Sequence, residues 1–176
     1  MITPHNAYLF SKITSSHRKR AYAGQAHHKS MKIYLATDHA GFKLKEEIKK
    51  YLLSQNHDVE DCGAFTFEKD DDYPVLISKA AEKVSQDPQS KGVVFGKSGA
   101  GETIVANKFK NIRAVLGFSD DNVKLAREHN DANILSLGSE FIDFEKAKVL
   151  IDIFFNTPFS NEERHKRRIE EIKELE

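Results

Sequence analysis

A carboxylate directly behind a run of small residues is the first chemical signal in this chain: Lys97-Ser98-Gly99-Ala100-Gly101-Glu102. Glu102 fits two roles. It can complement the dipole of a following helix, which is worth well under ~1 kcal/mol when exposed. It can also act as a base on carbon next to a carbonyl, provided burial lifts its pKa towards neutrality against the pull of the helix N-terminus. The small residues ahead of it free backbone N–H groups that, with a helix N-terminus, form a cradle for an anion. His129, in His129-Asn130-Asp131, falls at a predicted helix C-terminus. There the dipole favours a histidinium, and an imidazole can also donate a proton to a ring oxygen. Arg164 and Arg168 share one face of the last predicted helix. They suit either a solvated charged surface or a paired set of phosphate donors. Asp38-His39 can cap the next helix or meet sugar hydroxyls. As a metal pair it finds no third or fourth ligand at suitable spacing, so no metal site is expected. Cys62 reads as a small buried apolar residue.

Two phosphate-binding motifs fail on spacing. Only three residues, not four, separate Gly92 from Gly96-Lys97-Ser98, and those three read as strand, so this is not a P-loop. Gly99-Ala100-Gly101 lacks the third glycine of a dinucleotide fingerprint.

The elements that must position these residues alternate along the chain. Strands are predicted over 32–37, 59–62, 93–95, 112–118 and 134–137, with near-continuous apolar centres that suit burial on both sheet faces. Helices are predicted over 42–55, 73–86, 102–108, 144–155 and 162–175, and one from an N-cap at Ser119 through Glu128. In the first helix Phe42, Leu44, Ile48, Leu52 and Leu53 face inward, with lysines and glutamates outward. Alternation at this spacing predicts an α/β fold: a doubly wound, Rossmann-like, five-stranded parallel sheet with helices on both faces and a C-terminal helix. Ligands of such sheets sit beyond the strand C-termini, at a switch in strand order. That selects Asp38-His39, Lys97 to Glu102, Ser119-Asp120 and Gly138-Ser139-Glu140. His129 falls at the other end of the sheet, so a role for it requires a second subunit.

The chain has 176 residues, with Lys+Arg 27 against Asp+Glu 27, so no net charge draws it to nucleic acid or an anionic membrane. No apolar run approaches the ~20 residues of a bilayer span. The single cysteine excludes an internal disulfide and fits a reducing compartment. Residues 1–30 are basic, contain no Asp or Glu, and show no sustained period. They read as a disordered extension or the result of an upstream start before Met31, with a transit peptide as the alternative. The domain proper is taken as 31–176.

From Met31 to about Lys173 the chain resembles the ribose-5-phosphate isomerase B family, which also holds the galactose-6-phosphate isomerase subunits. The matching stretches are Asp38-His39-Ala40-Gly41-Phe42, Asp72-Tyr73-Pro74, Ser98 to Glu102 with Ala106-Asn107-Lys108, Arg127 to Asp131, and Arg164-His165 with Arg168. The resemblance implies aldose–ketose isomerisation of ribose 5-phosphate and ribulose 5-phosphate in the pentose phosphate pathway, in the cytoplasm, with no metal or organic cofactor. Some members carry a cysteine base at the end of the central strand. Gly96 stands there in this chain, which resembles the subgroup with a glutamate base at Glu102. By the same matching His129 opens the furanose ring, and Asp38, His39 and Asn130 contact the sugar. Ser98, Gly99, Ala100 and Gly101 hold the enediolate oxygen, and Arg164 and Arg168 the phosphate. The family builds its site at a homodimer interface. One departure is Glu140, where the family pattern has a phosphate-binding arginine; Lys97 is the candidate replacement cation. That departure keeps two alternatives in play: an isomerase of a six-carbon sugar phosphate, and a non-enzymatic sugar-phosphate binder.

Overall fold

The computed structural model describes residues 31–176. The expectation for residues 1–30 lies outside the described residues. The elements are β1 (Lys32–Thr37), α1 (Phe42–Ser54), β2 (Asp58–Asp61), α2 (Tyr73–Gln86), β3 (Lys91–Gly96), α3 (Ala100–Ala106), β4 (Ala114–Leu116), α4 (Asp120–Asn130), β5 (Ile134–Gly138), α5 (Phe144–Asn156) and α6 (Glu163–Lys173). The five strands form one parallel sheet in the order β2-β1-β3-β5-β4. Successive side chains of a strand point to opposite faces, and the two faces have separate cores. Ile33, Leu35, Val93, Phe95, Leu135 and Leu137 pack under α1, α4 and α5. Tyr34, Ala36, Val94 and Ile134 pack under α2 and α3. Burial on both sides explains the unbroken apolar strand centres. Each fully buried Leu, Ile or Phe contributes roughly 1.5–3 kcal/mol.

Strand order reverses between β1 and β3. The chain first steps outward from β1 to β2, then crosses to β3 on the other side. The crevice at the carboxyl ends of β1 and β3 is therefore the ligand position of this topology. Thr37 Oγ1 donates to the Phe95 carbonyl (3.1 Å) and closes the seam between those two ends.

Local chemistry accounts for some helix ends. Ser119 caps α4, its hydroxyl accepting from the Asn122 amide at 3.2 Å. Asp120 and Asp121 occupy the first turn of α4, and Arg127 and His129 the last, so both ends match the helix dipole. Pro74 sits in the first turn of α2, where its missing N–H costs nothing.

The expected inward face of α1 needs correction. Leu53 is exposed, while Lys45, assigned outward, is fully buried. Its ammonium donates to both oxygens of Asp61 (2.7 Å each) and to the Ala64 carbonyl (2.6 Å). A buried ammonium is tolerated when paired and hydrogen-bonded in this way. Most strand and helix limits also shift by one or two residues, and three shifts stand out near the site and the sheet edges. β4 is confined to Ala114–Leu116, inside the expected 112–118, β2 begins one residue earlier, and α3 begins two residues before Glu102.

Candidate active site

The crevice between the ends of β1 and β3 gathers Asp38, His39, Lys97, Ser98, Gly99, Ala100, Gly101 and Glu102, each on the first residues beyond its strand. Gly99 turns the chain from β3 into α3 at φ 78, a left-handed conformation that glycine adopts without penalty. Its carbonyl accepts from Ser136 Oγ and Thr103 Oγ1, both at 2.7 Å, so the loop is fixed to β5 below and α3 behind. Ser98 Oγ accepts from the Ala100 amide at 3.3 Å. Tyr73 packs its ring against the Cα of Gly101.

Glu102 is 4% exposed. Its carboxylate lies over Gly96, in space that any side chain there would take. Burial pushes its pKa up and the nearby Asp38 charge adds to this; the amides of Glu102 and Gly99 pull the other way without reversing it. The competition left open by the sequence between burial and the helix terminus thus resolves upward.

Asp38 is buried, and one of its oxygens accepts from the Ala40 (3.0 Å) and Gly41 (3.3 Å) amides. Both amides belong to the turn ahead of α1, whose N-cap is Gly41 with no side-chain cap bond, so Asp38 braces that turn rather than capping the helix. His39 is half-buried. Its Nδ1 lies 2.7 Å from Asp71 Oδ1, and the same oxygen accepts from the His39 amide at 2.9 Å. This hydrogen bond pushes the imidazole pKa up against a smaller effect of burial, with the Asp38 charge adding to the rise. The expectation that Asp38 and His39 lack a third neighbour of ligating type is overturned: ligating atoms of Asp38, His39 and Asp71 lie within 4.8 Å of one another. The loop 62–72 folds back to bring Asp71 in, which linear spacing could not reveal. Asp71 Oδ1 is engaged by the imidazole and the His39 amide, so the group reads as an oriented histidine. Asp71 Oδ2 is buried with no hydrogen-bond partner among the described residues.

Lys97 and Glu140 are neighbours across the strand ends, the Glu140 amide donating to the Lys97 carbonyl at 3.1 Å. Both side chains are exposed, and neither has an ion-pair partner among the described residues. Ser139, selected by the strand-end rule but given no role from the sequence, has its Oγ 2.9 Å from the Ala40 carbonyl and 3.1 Å from the Gly96 carbonyl, and so joins β5 to the site.

His129, Asn130, Arg164 and Arg168 are not brought to this crevice within one chain. His129 ends α4 at the side where strands begin, whereas Glu102 follows the end of β3. Five strand steps, about 16 Å, separate those two levels. His129 stacks on buried His165 with ring centroids 4.3 Å apart, and Ser160 Oγ holds His165 Nδ1 at 2.8 Å. Burial, and the neighbouring His129 after it, push the His165 pKa down. The turn after His129 is clamped by buried Arg127, which donates to Asp131 Oδ1 (2.7 Å) and to the Ala132 carbonyl (2.6 Å). The Asn130 carbonyl accepts from Arg113 Nε at 2.7 Å. Arg164 is exposed and paired with Glu162 (2.8 Å), while Arg168 is exposed with no ion-pair partner among the described residues.

Comparison with known proteins gives a consistent result. Residues 33–172 match the Ribose/Galactose Isomerase family model. Ribose-5-phosphate isomerase B of Mycolicibacterium paratuberculosis is 43% identical over 146 residues, covering 83% of this chain and 92% of that protein. The Escherichia coli protein of the same name is 36% identical, covering 82% and 96%. Among solved structures, ribose-5-phosphate isomerase B from Mycoplasma genitalium with bound ribulose 5-phosphate aligns with a TM-score of 0.80 at 34% identity, over 84% of this chain and 97% of that one. The Thermotoga maritima enzyme aligns with a TM-score of 0.78 at 41% identity, over 82% and 98%.

Proposed function

The chain belongs to the Ribose/Galactose Isomerase family, and we propose on that premise how it interconverts ribose 5-phosphate and ribulose 5-phosphate. The observation that carries the reading is the buried Glu102 carboxylate, with its pKa raised, standing over Gly96 at the sheet's switch point. A carboxylate in that state is suited to general-base work near neutral pH. This supports membership of the glutamate-base subgroup.

The reaction begins with the closed sugar. His129 of a second copy donates a proton to the ring oxygen as its bond to C1 breaks, and the C1 hydroxyl gives its proton to water, which exposes the aldehyde. Glu102 then removes the proton from C2, and the electron pair moves to give an enediolate. Amides of Ser98 to Gly101 meet the charge that develops on oxygen, a contribution that preorganised donors raise to several kcal/mol. Glu102 returns the proton to C1 while the proton of the C2 hydroxyl passes to O1, and the ketose forms. Asp38, His39 and Asn130 orient the hydroxyls, with Asp71 holding the His39 imidazole in place. Arg164 and Arg168 bind the phosphate, whose remote binding energy aligns the reacting carbons.

The shared site implies a homodimer or higher homo-oligomer. Two observations support it: the separation of His129 from Glu102, and exposed apolar side chains beyond the strand ends, including Phe65 after β2, Phe118 after β4 and Phe141 after β5. A reducing, cytoplasmic setting is consistent with a single cysteine, Cys62, which is free and buried. No helix of the described residues is long and apolar enough to cross a membrane.

Glu140 favours a second reading, a six-carbon sugar phosphate whose phosphate end is held differently, since a carboxylate repels a phosphate dianion. Incubation with ribose, allose and galactose phosphates, with ketose formation followed in each, tests both. Ketose from ribose 5-phosphate alone supports the first reading. Turnover of only a hexose phosphate replaces it with the second, and binding without turnover leaves a sugar-phosphate sensor.

A further inference from the structure

At the opposite end of the sheet from the glycine loop lies a cleft of about 440 Å³, within the size range of small-ligand sites. Lys91 opens β3 there, Arg113 precedes β4, Asp131 precedes β5, and α6 adds Lys166, Glu170 and Lys173. Four cations thus face two carboxylates, and both carboxylates are already engaged. Asp131 pairs with Arg113 (3.1 Å) and Arg127 (2.7 Å), and Glu170 pairs with Lys173 (2.6 Å). Lys166 pairs with Glu163 (2.9 Å), outside the cleft lining.

Lys91 is the exception. It is half-buried, and among the described residues its ammonium donates only to the adjacent Ser90 carbonyl, at 3.5 Å. It has no ion-pair partner among the described residues. Burial, and then the charge of Arg127, push its pKa down, with Asp131 and Asp87 opposing. A partly desolvated ammonium without a counterion costs free energy that a bound anion recovers. Residues 1–30 contain no Asp or Glu to supply a side-chain counterion.

We propose that this cleft is a second anion site, taking a phosphoryl group, inorganic or carried on a small metabolite, with Lys91 as its central cation and Arg113, Lys166 and Lys173 around it. Four cations stand against two carboxylates in the lining, and among the described residues Lys91 is the one of the four without a carboxylate partner. The site also touches the catalytic apparatus. At about 100° per residue, Lys166 and Lys173 stand roughly half a turn round α6 from Arg164 and Arg168. An anion in the cleft therefore bears on the helix that carries the phosphate arginines. That coupling rests on the function proposed above, whereas binding in the cleft does not.

The test is calorimetric titration of the full-length protein with inorganic phosphate, alongside isomerase kinetics in phosphate-free buffer. Two phosphate sites per chain are expected. Lys91→Met should weaken one of them at least about tenfold, as for a lost charge-assisted hydrogen bond, while kcat/KM without phosphate stays at the wild-type value. Arg168→Ala should weaken the other. The exposed pair Lys166→Ala/Lys173→Ala should weaken the same site as Lys91→Met, and decides the matter if Lys91→Met does not fold. Phosphate should inhibit the wild type with a mixed pattern and Lys91→Met competitively. The proposal is overturned if the wild type binds a single phosphate that Arg168→Ala abolishes, or none, or if the cleft variants bind phosphate as the wild type does. Loss of isomerase activity throughout, with two-site binding intact, would fault the catalytic reading and leave the cleft standing.

Discussion

The Glu102 carboxylate occupies the volume that a side chain at Gly96 would need: a β-carbon built on Gly96 overlaps the Glu102 carboxyl group. A base on the strand end and a base on the helix behind it therefore exclude one another in this backbone. A glycine at position 96 is a condition for using Glu102, beyond merely lacking a thiol. Gly96→Ala should displace the carboxylate and lower kcat by about a hundredfold, the scale of a misplacement near 1 Å. Steady-state kinetics on a variant with an unchanged circular dichroism spectrum checks this; wild-type kcat would remove the steric argument.

Glu102 should also cost stability. Its folded pKa is raised, so between the ordinary carboxylate value of 4.5 and the raised folded value the native state holds more protons than the unfolded state. Stability then falls as pH climbs through that window and stays lower above it. Glu102→Gln removes the titration. Its melting temperature should exceed that of the wild type near neutral pH by more than it does below pH 4.5, while kcat drops about 10²–10⁴-fold. An equal difference in melting temperature at both pH values, or near-full turnover, would count against a buried base.

A site shared between copies predicts complementation. Glu102→Gln and His129→Ala should each be inactive as pure proteins. After mixing and exchange, half of the dimers are hybrids, and each hybrid keeps one intact site, so about one quarter of wild-type activity should return under isologous pairing. No recovery, with hybrids verified by mass spectrometry, would confine the chemistry to one chain.

Asp71 should govern His39. Asp71→Asn removes the hydrogen bond that raises the imidazole pKa, so the His39 titration followed by proton NMR should move down in pH. KM should rise about tenfold near neutral pH, the equivalent of one charged hydrogen bond, with kcat less affected. In the wild type this contact stabilises the fold below the ordinary histidine value of 6.5, and that stability is lost as pH rises through the folded pKa. An unmoved titration would detach Asp71 from the site.

Lys97 is an exposed cation whose carbonyl accepts from the Glu140 amide, beside the site's departure from the family pattern. Lys97→Gly should raise KM for the sugar phosphate roughly fivefold, about 1 kcal/mol, and by less in high salt. An unchanged KM would discard Lys97 as the replacement for the missing arginine.

Periodicity and turn chemistry made the strand–helix alternation readable, because burial on both faces writes apolar strands and amphipathic helices into the composition. The crevice was readable too, since Asp38, His39 and the Ser98–Glu102 run immediately follow strands that topology places side by side. What stayed hidden depends on chain returning from a distance. Asp71 reaches His39 through a loop with no periodic signal. His165 meets His129 because α6 packs on α4. Lys45 breaks the charge pattern of α1 because Asp61 lies within its reach, and helical spacing reports nothing about partners in other elements. Ser139 and Tyr73 were named from the sequence, one after β5 and one in a family stretch, but their contacts with Ala40, Gly96 and Gly101 come from neighbours far away in the chain.

The burial of Lys45 makes it a clock for the segment that presents Asp71. Amine-directed reagents should modify the exposed lysines within minutes and pass this one by, because its ammonium is sealed between Asp61 and the Ala64 carbonyl. It becomes reactive only when helix and loop part company. Its labelling rate, read by peptide mass spectrometry, therefore times that opening separately from global melting, and slower labelling in the presence of sugar phosphate would show the substrate holding the same door shut.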